Sequence, residues 1–166
     1  MYIALLRAVN VGGTGKLSMV ELTRLCVEAG FGKVKTYIAS GNVVFASGDK
    51  RDTVKSTLAR RLSDHTGKTV DVFLRTSTEM RAVLRANPFP KAEPARSYVF
   101  FLAGKPPRDT LRNVRHQKDE DIRVGKREIY VYYPSGMGQS KLIIPAGNSG
   151  TARNMNTVAK LVAMMA

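Results

Sequence analysis

The fold of this chain is decided by its first 45 residues, MYIALLRAVNVGGTGKLSMVELTRLCVEAGFGKVKTYIASGNVVF (residues 1–45). A short apolar strand leads into a glycine-rich loop, and the capping box Ser18-Met19-Val20-Glu21 predicts a helix that Gly30 ends. Residues rich in β-branched and aromatic side chains then predict two strands joined by a turn at residues 40–42. The stretch therefore predicts the order β-α-β-β.

The residues that follow complete one folding unit and open a second. A helix that ends at Gly67 and an alternating strand at residues 70–75 give the order βαββαβ, which is the ferredoxin-like arrangement. The capping box Thr76-Ser77-Thr78-Glu79 starts a third helix, and the prolines within residues 87–90 end it. We therefore expect two halves, residues 1–86 and residues 87–166.

The second half repeats the element order of the first without evident sequence identity. We expect a strand at 98–102, a short helix at 108–115, a hairpin at 122–133 and, after a long loop, a final helix that Thr151 caps. This order is βαββα. The whole sequence thus predicts an α/β (α+β) protein with two ferredoxin-like halves packed as one compact unit.

The net charge of +14, from 27 basic and 13 acidic residues, is the most unusual bulk property of the chain. Such a field attracts polyanions, and nucleic acid is the first partner that it suggests. The basic residues are spread along the chain and form no tail of like charges. The alternative is a basic surface without a partner, so charge alone leaves nucleic acid as one candidate among several.

The chain has few residues that are placed to act in catalysis or to bind a metal. The single cysteine, Cys26, excludes an internal disulfide and suits a reducing cytoplasm, where we expect the protein. His65 and His116 lack the spacing of metal ligands, and the carboxylates avoid the glycine-rich loops, so we expect no metal and no cofactor. No apolar run approaches the roughly 18 residues that span a bilayer, and we expect no membrane partner.

Recognition of RNA through a sheet needs aromatic residues on its central strands. The third predicted strand carries Phe45 alone, and the first carries Tyr2 alone. The platform on which bases would stack is therefore missing. Any binding of nucleic acid is expected to run through the phosphate backbone and to be sensitive to salt.

Three glycine-rich segments with a nearby cation suggest that the protein binds an anion. In the first, residues 10–16, loop amides, a helix N-terminus and Lys16 come together, and Arg7 and Asn10 end the preceding strand. The segment is not a P-loop, because Asn10 stands at its first glycine position and Leu17 follows the lysine. The alternative is that these glycines only permit a tight crossover from strand to helix.

The other two segments lie in the second half. Ser140 and Lys141 follow the glycine loop at residues 135–138. A helix that begins at Thr151 places Arg153 in its first turn, where the helix dipole makes a cation cost about 0.3–1 kcal/mol. An anionic ligand would remove that cost. The alternative is an arginine that points into the solvent.

Four segments resemble, in the right order, the motifs of the bacterial family catalogued as domain of unknown function 1697. They are LLRAVNVGG (5–13) with Lys16 after it, YIASGNVVF (37–45), GMGQSKL (136–142) and TARNMNTV (151–158). The resemblance implies α/β halves of ferredoxin-like topology, and it implies no activity, because the family has none established. Met155 is a departure, since the family usually has tryptophan at that position.

The segments that carry the resemblance contain eight polar residues that we expect to converge on one anion-binding cleft between the halves: Arg7, Asn10, Lys16, Ser40, Asn42, Lys141, Arg153 and Asn154. The first functional hypothesis is therefore the binding of a phosphorylated or carboxylated small molecule. The alternatives are a nucleic-acid-binding module that makes non-specific backbone contacts and a protein-interaction scaffold for acidic partners. The sequence names no catalytic residue and predicts no oligomeric state.

Overall fold

The computed structural model of this protein describes residues 1–10 and 16–166. The chain divides into two compact units. Unit 1 consists of Met1–Met80 with Leu161–Ala166, and unit 2 consists of Arg81–Lys160. The predicted division into residues 1–86 and 87–166 stays a prediction, because compactness does not test which part of the chain folds by itself.

Unit 1 has the predicted order βαββαβ. Its elements are β1 (Tyr2–Leu6), α1 (Met19–Glu28), β2 (Gly32–Tyr37), β3 (Asn42–Ala46), α2 (Arg51–Thr66) and β4 (Val72–Thr76). The central strand β1 pairs with both β3 and β4, and β2 forms the edge beside β3. The resulting antiparallel sheet has the order β2-β3-β1-β4, which is the ferredoxin-like one.

Helix α1 begins where its capping box predicts. The Ser18 hydroxyl accepts a hydrogen bond of 3.0 Å from the Glu21 amide, and Gly30, with a φ of 87°, follows the last turn. A cap of this kind stabilises a helix by about 1 kcal/mol. The helix buries one apolar face, which consists of Leu22, Leu25 and Cys26.

The core of unit 1 fixes the strand ends at which the predicted site residues lie. Phe45 of β3 is fully buried and stacks on Phe31, with the ring centroids 4.3 Å apart. Leu22 of α1 and Leu58 of α2 are fully buried in the same cluster. Because burial of one such side chain is worth about 1.5–3 kcal/mol, this cluster holds the sheet and the two helices in a single arrangement.

Helix α3 (Ser77–Arg85) begins at the second predicted capping box. The Thr76 hydroxyl accepts a hydrogen bond of 3.2 Å from the Glu79 amide, and the Glu79 carboxylate accepts one of 2.8 Å from the Thr76 amide. Two backbone donors that the helix itself cannot satisfy are thereby paired. The predicted start of this helix is confirmed.

Unit 2 repeats the strand order of unit 1. Its elements are β5 (Ser97–Phe101), β6 (Asp121–Val124), β7 (Glu128–Tyr132) and β8 (Thr151–Asn154), and helix α4 (Met155–Met164) follows β8. The antiparallel sheet has the order β6-β7-β5-β8, which matches β2-β3-β1-β4 strand for strand. The prediction of an α+β protein with two ferredoxin-like halves is confirmed.

The short helix predicted at residues 108–115 is wrong. These residues form turns, and the backbone of Arg115 exchanges two hydrogen bonds of 2.9 Å with Ile143. An amide that pairs with a distant segment cannot also pair with the carbonyl four residues before it, as an α-helix requires. The side chain of Leu111 stays exposed, so the segment lacks a buried apolar face that would favour a helix.

The predicted start of the last helix at Thr151 is also wrong. Residues 151–154 form β8, in which Thr151 pairs with Phe101 and Arg153 pairs with Val99. The side-chain oxygen of Asn154 accepts a hydrogen bond of 3.0 Å from the Thr157 amide, so the cap lies three residues later than predicted. Neither α4 nor any other helix in the described part of the chain has the length and apolar character of a membrane span.

Candidate functional site

Asn10, one of the five predicted site residues of unit 1, holds the segment after β1 in place. Its side-chain oxygen accepts a hydrogen bond of 2.6 Å from the Leu17 amide. Its side-chain nitrogen donates to the carbonyl of Leu17 at 2.7 Å and to that of Ala39 at 2.9 Å. Both donors of the amide are therefore used to join the start of α1 and the β2–β3 turn to the end of β1.

Asn42 supports the turn that precedes β3. Its side chain is fully buried, and its nitrogen donates to the carbonyl of Tyr37 at 2.8 Å and to the hydroxyl of Ser40 at 3.0 Å. A buried amide without such partners would destabilise the fold. The two bonds explain why an asparagine occupies this position, and no ligand is needed to account for it.

The other three predicted residues of unit 1 reach the surface. Lys16 and Ser40 are exposed. The Arg7 side chain is 39% exposed and forms an ion pair of 3.3 Å with Asp71. Residues 11–15, which carry most of the predicted anion loop, lie outside the described residues, so the role of their amides stays a prediction.

The backbone around these residues is strained. Ala8, Asn10 and Ile38 have φ values of 57°, 58° and 51°, in the left-handed region that a β-branched residue rarely enters. Gly41 has a φ of 89°, and a Cβ on it would lie 2.7 Å from Cγ2 of Val9. Such residues cost on the order of 1–3 kcal/mol each and concentrate at functional sites. The end of β1 therefore remains a candidate site.

Arg153 is placed differently from the prediction. It lies in β8 with 6% of its surface exposed, and its Nη1 donates to the Thr151 hydroxyl at 2.7 Å and to the Ala152 carbonyl at 2.9 Å. Burial lowers the pKa of Arg153 to about 10. Because α4 begins only after Asn154, the dipole of that helix does not explain the position of this cation.

Lys141, one of the predicted site residues, borders a pocket that we call the polar pocket. The pocket lies in unit 2 and has a volume of about 450 Å³. Its lining contains two lysines, two carboxylates and several hydroxyl and amide groups, contributed by Lys118, Asp119, Glu120, Tyr133, Ser135, Gly136, Gln139, Ser140 and Lys141. Its size lies within the range of about 300–1,000 Å³ that is usual for small-molecule sites.

The β6–β7 hairpin brings the two walls of this pocket together. Asp121 pairs with Tyr132 in the hairpin, so the residues just before β6 face the residues just after β7. The Ser135 hydroxyl donates to the Asp119 carboxylate at 2.5 Å. The Ser140 hydroxyl donates to the Glu120 carboxylate, which ties the second half of the glycine loop to the start of β6.

Glu120 is the buried anchor of the pocket. It is 6% exposed, and its carboxylate also accepts a hydrogen bond of 2.6 Å from the Lys118 amide. Burial alone would raise the pKa of Glu120, but the bonds from Ser140 and the Lys118 amide, with the Lys118 charge, hold it below its ordinary value. Burial, together with Glu120 and Tyr98, raises the pKa of Tyr133 to about 12. At neutral pH the carboxylate is therefore charged and the phenol is neutral.

Two cations stand at the rim of the pocket. Lys118 and Lys141 are both exposed, and neither forms an ion pair with a carboxylate of residues 1–10 or 16–166. The two carboxylates of the lining, in contrast, already accept hydrogen bonds from Ser135 and Ser140. The ammonium groups are therefore the charged groups of this pocket that a ligand can engage most directly.

A second cavity of about 220 Å³ adjoins the first. The two share Tyr133 and Ser140, and the second is also lined by Phe100, Met137, Leu142, Ile144 and Asn148. A ligand in the polar pocket therefore has space beside it for a further group.

Of the residues that line the pocket, Lys141 belongs to the site predicted from the sequence, and the other lining residues do not. Glu120 precedes Ser140 by twenty residues and belongs to no glycine-rich segment. The predicted hairpin was the available signal, because residues that flank a two-stranded hairpin on both sides are neighbours. In the described part of the chain, no three histidine, cysteine, aspartate or glutamate side chains are grouped as metal ligands would be.

Comparison with known proteins agrees with this fold. The family model described as "Protein of unknown function (DUF1697)" matches residues 1–130. A solved structure of a conserved bacterial protein from Streptococcus pneumoniae is similar, with a TM-score of 0.82 and 26% sequence identity over 99% of this chain and 98% of that chain. No curated protein matches the chain. None of these comparisons names a ligand, so the ligand class is inferred from the geometry of the site.

Proposed function

The chain belongs to the DUF1697 family of proteins of unknown function, and we propose that it binds a small phosphorylated or carboxylated molecule in the polar pocket of unit 2. The observation that carries this proposal is the pair of exposed lysines, Lys118 and Lys141, on opposite walls of a pocket of about 450 Å³. An anionic group between them would meet two charge-assisted donors.

The glycines of the pocket loop support the proposal. A Cβ on Gly136 or Gly138 would meet no atom within 4 Å, so crowding by neighbouring atoms does not require a glycine at either position. Gly136 does have a φ of 88°, which favours glycine, but Gly138 has no such requirement. A residue without a side chain leaves backbone groups open to a ligand. Gly136 lines the pocket, and we therefore assign it to ligand access as well as to the conformation of the loop.

The buried part of the pocket would hold its shape before the ligand arrives. Glu120 fixes Ser140, and Asp119 fixes Ser135, so the loop that carries Lys141 is tied at both ends to the segment that carries Lys118. Preorganisation of this kind lowers the entropy lost on binding. The proposed role is binding, and no nucleophile or general base is assigned to a reaction.

A thermal-shift screen with phosphorylated and carboxylated small molecules tests this proposal. A ligand at about a hundred times its dissociation constant stabilises the folded state by about 2.7 kcal/mol. We expect one class of anion to raise the melting temperature, and we expect Lys141→Ala to abolish that rise because it removes one of the two cations.

The matched control is Lys126→Ala. Lys126 is also exposed and lies in the turn at the opposite end of the same hairpin, so the substitution changes the net charge equally. It should leave the shift intact. A shift that both variants lose equally, or the absence of any shift across the screen, contradicts the proposal.

The wider site predicted from the sequence stays a prediction. Adding Lys16→Ala and Arg7→Ala to the same screen tests whether these residues contribute to binding of the same anion. The strained backbone at Ala8 and Ile38 is the structural reason to include them. The scaffold alternative also stays a prediction, and so does a cytoplasmic location, which rests on the single free thiol of Cys26.

A further inference from the structure

A row of exposed cations lies on the segment that connects β5 to β6. Between residues 103 and 118 the sequence has one acidic residue, Asp109, and five basic residues, Lys105, Arg108, Arg112, Arg115 and Lys118. All five basic residues are exposed. None of them forms an ion pair with a described carboxylate, whereas Arg24 and Arg51 of unit 1 both do. The charges of this cationic segment are therefore not cancelled by ion pairs with described residues, although the Lys118 charge also acts on Glu120 at its end.

The segment is irregular, but several hydrogen bonds hold it. Arg115 exchanges two backbone hydrogen bonds of 2.9 Å with Ile143, and the Asn113 amide donates to the Asp109 carbonyl at 3.1 Å. The Thr110 hydroxyl donates to the carbonyl of Pro107 at 2.6 Å. Because the backbone is held, its arginines are presented from fixed positions and less order has to be gained on binding.

Two of these arginines border an open groove. The groove has a volume of about 410 Å³ and is lined by Arg112, Asn113, Val114, Arg115 and Pro145. Two guanidinium groups and an amide are the donors that proteins use for phosphate oxygens, and guanidinium binds them in a bidentate manner. The groove thus has the chemistry of a site for one phosphate, and three further exposed cations, Lys105, Arg108 and Lys118, belong to the same segment.

We infer that the cationic segment of residues 105–118 is a docking surface for the phosphate backbone of double-stranded nucleic acid, with one phosphate in the groove between Arg112 and Arg115. Duplex DNA carries about one charge per 1.7 Å of its axis, so a row of separate cations meets a row of phosphates. A single small anion would use only one or two of the cations.

The sequence of the segment favours a duplex over a single strand. Residues 103–118 contain no phenylalanine, tyrosine or tryptophan. Proteins that bind single strands stack the bases on such side chains. Cations and amides that contact backbone phosphates position a nucleic acid without reading its sequence. The groove and the polar pocket share no lining residue, and Lys118, which belongs to both the segment and the pocket, is left unchanged in the variants below, so the two proposals are tested separately.

Fluorescence anisotropy of the full chain with a labelled DNA duplex of mixed sequence tests the inference. We expect a dissociation constant on the order of 10⁻⁶ to 10⁻⁴ M that weakens steeply between about 50 and 200 mM salt, as for other non-specific complexes. The variant that tests the groove combines Arg112→Gln with Arg115→Gln. Loss of the one phosphate contact in the groove should reduce the slope of log K against log salt by about 0.9.

The matched control combines Lys50→Gln with Lys55→Gln. These two lysines of unit 1 are exposed, form no ion pair with a described carboxylate, and remove the same charge when replaced. The control should keep the slope of the unaltered protein. An equal loss of slope in both variants would mean that the net charge alone drives binding, and it would overturn the inference.

Two competitors, poly-glutamate and a single strand, test whether the surface binds an acidic protein or single-stranded nucleic acid instead of a duplex. Poly-glutamate of equal charge should compete weakly with the duplex, and the arginine substitutions should not change its binding. If the arginine substitutions weaken the binding of poly-glutamate as much as that of DNA, the surface belongs to acidic proteins instead. A single strand that binds more tightly than the duplex would also overturn the inference. If the arginine variant does not fold, as judged by circular dichroism, Lys105→Gln with Arg108→Gln in the same segment takes its place. These two cations lie outside the groove and would contact separate phosphates, so the expected loss of slope is about 1.8.

Discussion

Asn10 and Asn42 belong to the segments from which the sequence predicts an anion site, yet both amides are bonded within the fold. Asn10 bonds Leu17 and Ala39, and Asn42 bonds Tyr37 and Ser40. A polar residue in a glycine-rich segment can serve a ligand or can close a turn, and the residue type is the same in both cases. Only the partner atoms distinguish the two roles.

Gly41 is the residue at which the turn before β3 is most tightly constrained. Its φ of 89° is unfavourable for a side chain, and a Cβ would lie 2.7 Å from Cγ2 of Val9 and 2.9 Å from Cβ of Leu6. We expect Gly41→Ala to lower the free energy of unfolding by about 2 kcal/mol or more, as measured by urea denaturation.

Gly48→Ala is the control for this substitution, because a Cβ at Gly48 meets no atom within 4 Å and its φ is not positive. It should change the free energy of unfolding by well under 1 kcal/mol. Equal stability of Gly41→Ala and the unaltered protein would show that the turn does not need glycine.

Cys26 is expected to be chemically inert in the folded protein. It is fully buried on α1, and burial raises the pKa of its thiol to about 12. Since the thiolate is the reactive form, a thiol reagent at about pH 8 should modify the unfolded chain and leave the folded chain unmodified over the same time, as measured by mass spectrometry. Rapid modification of the folded chain would show that α1 opens readily.

At the scale of elements, the stability of the pocket loop (residues 135–141) depends on the charge of Glu120, which accepts the hydrogen bond from Ser140. The pKa of this carboxyl is lowered in the folded protein, so the unfolded chain binds its proton more readily. The stabilisation is therefore fully present above the unfolded pKa of about 4.3 and is lost as the pH falls through the lower folded pKa. We expect the melting temperature of Glu120→Gln to fall less between neutral and acid pH than that of the unaltered protein.

The control for this pH effect is Asp109→Asn, which removes an exposed carboxylate that forms no ion pair with a described residue. Its melting temperature should follow that of the unaltered protein at every pH. If the melting temperature of Glu120→Gln falls at acid pH as much as that of the unaltered protein, the Ser140–Glu120 hydrogen bond does not hold the loop in place.

The elements that the sequence predicted correctly are those with a local signal. The cap at Ser18 and both bonds of the capping box at Thr76 form, because each bond joins groups only three residues apart, whereas the Glu21 carboxylate pairs with Arg24 and not with the Ser18 amide. The segments that the sequence misjudged, residues 108–115 and 151–154, depend on partners far along the chain. Arg115 pairs with Ile143, and Arg153 pairs with Val99. Strand formation depends on such partners more than helix formation does.

At the scale of the whole molecule, the net charge of +14 gives the sign of the long-range field, and it does not place a site. Many basic residues are neutralised locally, as Arg24 is between Glu21 and Glu28. The structure separates such cations from those of residues 105–118, which have no described ion pair. The two-arginine variant and its charge-matched control are designed to separate a local surface from the overall charge.

The sequence by itself determined the element order of unit 1, the order of the strands in unit 2, the helix starts at Ser18 and Thr76, the sign of the charge and the family, because each of these depends on residue types at short spacing. The tertiary structure decided which polar side chains serve the fold and which border a pocket. Glu120 and Ser140 meet across twenty residues only because the β6–β7 register places them together. The hairpin pattern in the sequence predicts only that the flanking segments are neighbours, whereas the register that brings these two side chains together is set by the packing of the sheet.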